Sequence, residues 1–216
     1  STPLYSSAAS DVYKRQGQEF EAILADAQRL GYAEADPSFD VDGIDAAHKL
    51  AILTAIAFQT PIDFNSVHVQ GIRFISPIDI DFATELGYRI KLLGIAELLE
   101  NGVQQRVRPC LVSVNTPIAQ VEDVFNAVAA EADGLGTSLS YGRGAGAGPT
   151  SSAVLSALLD FANNRRVSFL GGNQSYLKEK SARKLQMLLG SYYLRLQVYD
   201  RPGVLADLTA VFRDEG

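Results

Sequence analysis

Five carboxylates precede Lys49 within one short stretch of the chain, and four of them, Glu34, Asp36, Asp40 and Asp45, are the candidates for chemistry. Asp45 and Lys49 stand four positions apart, so a helix places them on one face. A lysine beside a carboxylate, sheltered by the apolar residues 50–58, can act as a general acid toward a carbonyl or an alkoxide. The surrounding carboxylates suit a substrate that carries an ammonium group. A plain structural reading fits the same residues. Asp42 caps the helix, Asp45 sits at its third position as a capping-box partner, and Asp45 to Lys49 is a surface ion pair worth about a few tenths of a kcal/mol. Both readings stay open on spacing alone.

A calcium loop is tested by the same residues. With Ser38, Asp40, Asp42 and Gly43 as its first, third, fifth and sixth positions, Lys49 falls where a bidentate glutamate is required. A cation at that place repels the ion. One cysteine, Cys110, and two histidines, His48 and His68, form no zinc-type cluster, so no metal is expected. His48 reads as structural or exposed, and His68 and Cys110 as packing residues.

A second candidate is the glycine-rich turn Gly142-Arg-Gly-Ala-Gly-Ala-Gly-Pro149. The dinucleotide fingerprint needs a buried parallel strand before it and an acidic residue about 20 positions later, and neither is present. A tight turn into a helix opened by Pro149 is the simpler reading.

These residues need elements to hold them. Spacing predicts helices over residues 18–30, 44–58 and 77–86, the first of them stopped by Gly31. Residues 67–75 read as a strand and 88–99 as a longer one, with Asn101-Gly102 a hairpin turn and residues 103–114 returning antiparallel. Residues 125–131 and 137–141 extend that sheet, and a helix follows over 149–163. The class expected is α+β, a mostly antiparallel sheet with helices on one face. Residues 192–198 alternate as a strand, Asp200-Arg-Pro-Gly203 turns, and 204–212 run helically.

Among the 216 residues, 19 Lys and Arg stand against 25 Asp and Glu, a net charge of −6. No basic field exists to hold nucleic acid. Residues 50–58, the longest apolar stretch, fall far short of the roughly 20 that span a bilayer, so no membrane partner is expected. One cysteine suits a reducing, cytoplasmic setting. Residues 1–16 show neither helical nor strand period and read as an aberrant leader from a junction or frame artefact.

The segment Leu30-Gly-Tyr-Ala-Glu-Ala-Asp-Pro-Ser-Phe-Asp-Val-Asp-Gly-Ile-Asp-Ala-Ala-His-Lys-Leu50 closely resembles the signature of homoserine dehydrogenases. Tyr88-Arg-Ile-Lys-Leu-Leu-Gly-Ile-Ala, Val124-Phe-Asn-Ala-Val and Tyr141-Gly-Arg-Gly-Ala-Gly-Ala-Gly-Pro-Thr-Ser-Ser-Ala153 carry it on, so it covers about residues 18–170. The resemblance implies NAD(P)-dependent interconversion of aspartate semialdehyde and homoserine. Lys49 is then the proton donor to the substrate carbonyl. Glu34, with Asp40 and Asp45, binds the substrate, and Asp36 stands behind them. Gly144, Ala145, Gly146 and Thr150 meet the cofactor, NADP or NAD.

Tyr192-Tyr-Leu-Arg-Leu-Gln-Val-Tyr-Asp-Arg-Pro-Gly-Val-Leu-Ala206 resembles the opening of an ACT domain. That implies Asp200, Pro202, Gly203, Val204 and Leu205 at an effector site, with threonine as the expected effector. The expected organisation is a leader over 1–16, a catalytic and dimerisation domain over 17–172, a linker over 173–190, and a truncated ACT-like unit over 191–216. The resemblance places the cofactor domain upstream, so this chain alone is expected to be inactive, and an aspartate kinase fused further upstream stays open. A homodimer or higher homo-oligomer is expected from the open sheet. The rival reading is a non-catalytic amino-acid-binding module.

Overall fold

The computed structural model describes residues 4–5, 38–100, 102–122, 125–144, 146–165 and 191–215. The helix expected over 18–30 and the linker expected over 173–190 lie outside them.

Ser38–Val41 makes one helical turn, α1, and Ile44–Phe58 forms α2 with the bounds expected. Gly43 caps α2 at φ 80°, a left-handed conformation that suits glycine, and no side chain bonds to the cap. Asp42 is therefore not the cap, and Asp45 falls at the second helical position instead of the third. Pro77–Glu85 forms α3 behind Ser76, whose backbone N–H donates to Asp79 Oδ2 at 2.9 Å and whose hydroxyl donates to the same oxygen at 2.5 Å.

Val67–Val69 (β2), Tyr88–Leu99 (β3) and Gly102–Ser113 (β4) make one sheet in the order β2-β4-β3. The hairpin at Gly102 is in register from Leu99↔Gly102 to Tyr88↔Ser113, while β2 joins β4 parallel. Strand β2 ends at Val69, so residues 70–75 are not the strand expected. The Gln70 N–H bonds to the Val107 carbonyl at 2.7 Å and the Ile72 N–H to Val41, which turns the chain away from the sheet toward α2.

Phe125–Ala132 (β5) and Gly136–Arg143 (β6) pair antiparallel, but they do not extend the first sheet. They form a second one, in which Leu4–Tyr5 (β1) pairs with Ala130 and Ala129. Part of the segment set apart as a leader thus joins the fold. Two clusters explain the two sheets. Leu92, Ala96 and Val107 pack with Ala47, Leu50 and Ala51 of α2. Leu93, Ile95 and Val112 face the other way, onto Ala127 and Ala129 of β5 and the Pro117–Gln120 3-10 turn through Ile118 and Ala119. Strand β3 is covered on both faces, and its run of apolar residues follows from that.

Ala147–Ala162 (α4) follows β6, and Val204–Glu215 (α5) ends the described chain. Residues 191–200 form no strand, against the expectation for 192–198. No described helix is long and apolar enough to cross a membrane.

Candidate functional site

Helix α2 buries Ala47, Leu50, Ala51, Thr54, Ala55 and Phe58. That face fixes its orientation and turns Asp45 and Lys49 outward. Lys49 Nζ donates to Asp45 Oδ2 at 2.6 Å, with the two side chains 47% and 36% exposed. The ammonium is held by one carboxylate and still open to solvent, so a proton given to a substrate can be replaced from water. His48 lies between two rings, edge-on to Phe39 at 5.5 Å and to Phe64 at 4.2 Å.

The start of α2 is braced from one side. Arg73 donates from Nε to Asp42 Oδ1 and from Nη2 to Asp42 Oδ2, both at 3.0 Å. The Ile72 N–H bonds to the Val41 carbonyl at 2.9 Å. Asp40 sits on α1, and its carbonyl accepts from the Gly43 N–H at 3.1 Å. The structure therefore brings Asp45 and Lys49 into contact and sets Asp40 in the turn leading to them. Glu34 and Asp36 lie outside the described residues.

The glycine-rich turn joins β6 to α4. A Cβ on Gly144 would stand 1.7 Å from Asn126 Nδ2, and Gly146 caps α4 at φ 113°. Helix α4 opens at Ala147, two residues before the Pro149 expected to open it, and Pro149 sits in the first turn, where an N–H has no helical acceptor to lose. The Thr150 N–H bonds to the Gly146 carbonyl at 3.2 Å. The Asn126 amide fills the space beside Gly144, so the backbone left open at this turn is that of Gly146, just ahead of the first amides of the 16-residue α4. Ala145 lies outside the described residues.

At the C-terminal end, Asp200 and Pro202 lead to Gly203 at φ 93°, and Val204 and Leu205 open α5. His68 is exposed on β2, a correction to its reading as a packing residue. Cys110 is half-buried, and burial pushes its thiol pKa up. Among the described residues no group of three or more His, Cys, Asp or Glu could hold a metal ion.

A further cluster escaped the sequence reading. Asp79 is 5% exposed and accepts from the Tyr193 hydroxyl at 2.9 Å and from Arg195 Nε at 2.6 Å, both on Oδ1. Burial alone would raise the Asp79 pKa, but the hydrogen bonds from Arg195, Ser76 and Tyr193 outweigh it and hold the carboxyl well below its usual range. Ser76-Pro-x-Asp79 was a legible helix-start signal. Nothing local pointed to Tyr193 or Arg195.

Residues 9–159 match the family model described as homoserine dehydrogenase, a match that takes in α1, α2 and the glycine-rich turn. The chain belongs to the homoserine dehydrogenase family. It is 42% identical over 209 residues to a homoserine dehydrogenase of Pseudomonas aeruginosa, covering 94% of this chain and 48% of that protein. The crystal structure of a homoserine dehydrogenase from Thiobacillus denitrificans resembles it with a TM-score of 0.88 at 43% identity, over 98% of this chain and 52% of that one. A hyperthermophilic archaeal homoserine dehydrogenase, solved in complex with NADPH, shares the fold at TM-score 0.61 and 23% identity, over 75% of this chain and 47% of that one. The chain spans about half the length of the homoserine dehydrogenases it matches. The family match opens at residue 9, inside the segment read as an atypical leader.

Proposed function

We propose that the chain supplies the proton-transfer and substrate-binding part of an NAD(P)-dependent homoserine dehydrogenase, interconverting aspartate semialdehyde and homoserine. The observation that carries this reading is the Lys49 to Asp45 contact at 2.6 Å, on a helix start braced by Arg73. In the reducing direction Lys49 Nζ gives a proton to the carbonyl oxygen as it becomes a hydroxyl. In the reverse direction it takes that proton back. Asp45 keeps the Nζ at the outer face of α2, and the exposure of the pair lets solvent restore the proton. Glu34 and Asp40 bind the substrate, its ammonium group meeting Glu34, and Asp36 supports them.

The nicotinamide, NADP or NAD, supplies the hydride when bound. Gly144, Ala145, Gly146 and Thr150 would hold its near end, and the open backbone of Gly146 ahead of α4 supports that placement. The exposed edge strand β6 supports a homodimer formed by pairing with a second copy. The organisation we propose keeps a catalytic and dimerisation domain over 17–172 and an ACT-like unit from 191. Helix α5 after the Gly203 turn supports that unit, with threonine as effector at Asp200 to Leu205. A cytoplasmic setting suits this chemistry.

The test is Lys49→Ala in the complete gene product, with turnover of aspartate semialdehyde and homoserine binding measured side by side. The expected result is a loss of turnover of about 10²–10⁴-fold, the range for a general acid, with homoserine still bound. Unchanged turnover would remove Lys49 from this role.

A further inference from the structure

Arg195 and Tyr193 reach Asp79 across more than a hundred residues of sequence, and Asp79 is the carboxylate that fixes the start of α3. Arg195 Nη2 adds bonds to Ser76 Oγ at 3.2 Å and to Asp79 Oδ2 at 3.3 Å. The guanidinium of Arg108 lies over the Tyr192 ring at 5.9 Å, so the same extended segment also meets β4. Side chains of Tyr192, Tyr193 and Arg195 thus fasten residues 191–200 to the body of the molecule without a strand ladder.

A short run of chain joins the anchoring point to the start of α2. From Ser76 the chain runs back through the turn closed by the Ile75 N–H on the Ile72 carbonyl at 3.0 Å. Ile72 and Arg73 then grip Val41 and Asp42, immediately before the Gly43 cap of α2. Gly71 permits no slack here, since a Cβ on it would stand 2.3 Å from the Val41 carbonyl oxygen. Residues 71–79 form one short, hydrogen-bonded strip. One end holds the start of α2 and the other is held by Arg195.

We propose that Arg195 is a positioning residue: through Asp79 and the strip 71–79 it holds the Val41 to Gly43 turn, and so the place of Asp45 and Lys49. The inference rests on the reading of Asp45 and Lys49 as the reactive pair. It gives the segment leading into the Asp200 to Leu205 turn a hold on the site that is relayed through Asp79 and the strip 71–79.

Hydrogen exchange on the full chain tests it without turnover. Arg195→Ala should speed exchange about five- to tenfold at the Ile72, Asp42 and Gly43 amides, with β5 and β6 unchanged. Arg195→Lys, which keeps a charge on Asp79, should restore part of the protection. Faster exchange confined to residues 76–80 and 191–200 would overturn the proposal. So would a rise spread evenly over β5 and β6, since Arg195 would then serve general stability. A negative result removes the strap and leaves Lys49 and Asp45 standing, whereas the turnover of Lys49→Ala judges that pair alone.

Discussion

Gly71 lies so tightly beneath Val41 that a Cβ on it would stand 2.3 Å from the Val41 carbonyl oxygen and 2.5 Å from Asp42 Cα. Both obstacles are backbone, which cannot swing aside as a side-chain tip can. Gly71→Ala should therefore push the start of α2 off its brace and cost about 1–3 kcal/mol, the range for overpacking. Gly142→Ala, where a Cβ meets nothing within 4 Å, is the control and should stay near neutral. Urea unfolding of the two variants checks the difference. Equal stabilities would show that the strip gives way freely.

Leu50 is fully buried against Gly94, with a Cβ on that glycine only 3.4 Å from Leu50 Cδ1. Leu50→Ala should open a cavity between α2 and β3 that neither element can close, at about 2–5 kcal/mol. A thermal melt reads it directly.

Lys49→Ala should behave in the opposite way. An ion pair this exposed contributes about 0.2–1 kcal/mol, so the melting temperature should barely move while turnover collapses. A large drop in stability would assign the pair to folding instead.

Asp79 gives the fold an acid limit. Its carboxyl pKa is depressed in the folded chain below the ordinary value of 3.8. The stability it contributes is fully present above that value and is lost as pH falls below it toward the folded value. The gap in stability between the unchanged chain and Asp79→Asn should be constant from pH 7 to pH 5 and shrink toward pH 3, as read by urea melts at each pH. A gap that widens on acidification would reverse the sign and reject the assignment.

Local order was legible wherever neighbours in sequence decide the outcome. The period over 44–58 and the Asn101-Gly102 turn gave α2 and the β3–β4 hairpin nearly residue for residue. The Asp45 and Lys49 contact follows from their spacing on that helix. The rest depended on partners far along the chain. Residues 70–75 are β-branched and aromatic enough for a strand, yet they serve as the brace of α2, where the place beneath Val41 has room for a glycine and for no side chain. Residues 192–198 alternate as a strand does, and their polar members answer to Asp79 instead of a ladder. Strands β5 and β6 had the right type and the wrong sheet, since period alone does not say that β3 needs cover on both faces. Lys91 is the sharpest case. It is fully buried in β3 and donates to the Val121 carbonyl, a partner 30 positions away that no local pattern announces.

The β3–β4 ladder closes from its turn outward, the paired positions separating from Leu99 and Gly102 to Tyr88 and Ser113. No long loop has to be closed to build it, so the hairpin can zip as soon as Ser113 leaves the ribosome. Its α2 face finds cover at once, because α2 has already been made. The opposite face, with Leu93 and Ile95, waits for Ile118 through Ala129 to emerge. Until that stretch has emerged the hairpin has one apolar face without its cover, so slow emergence of residues 114–129 would lengthen its exposure to aggregation.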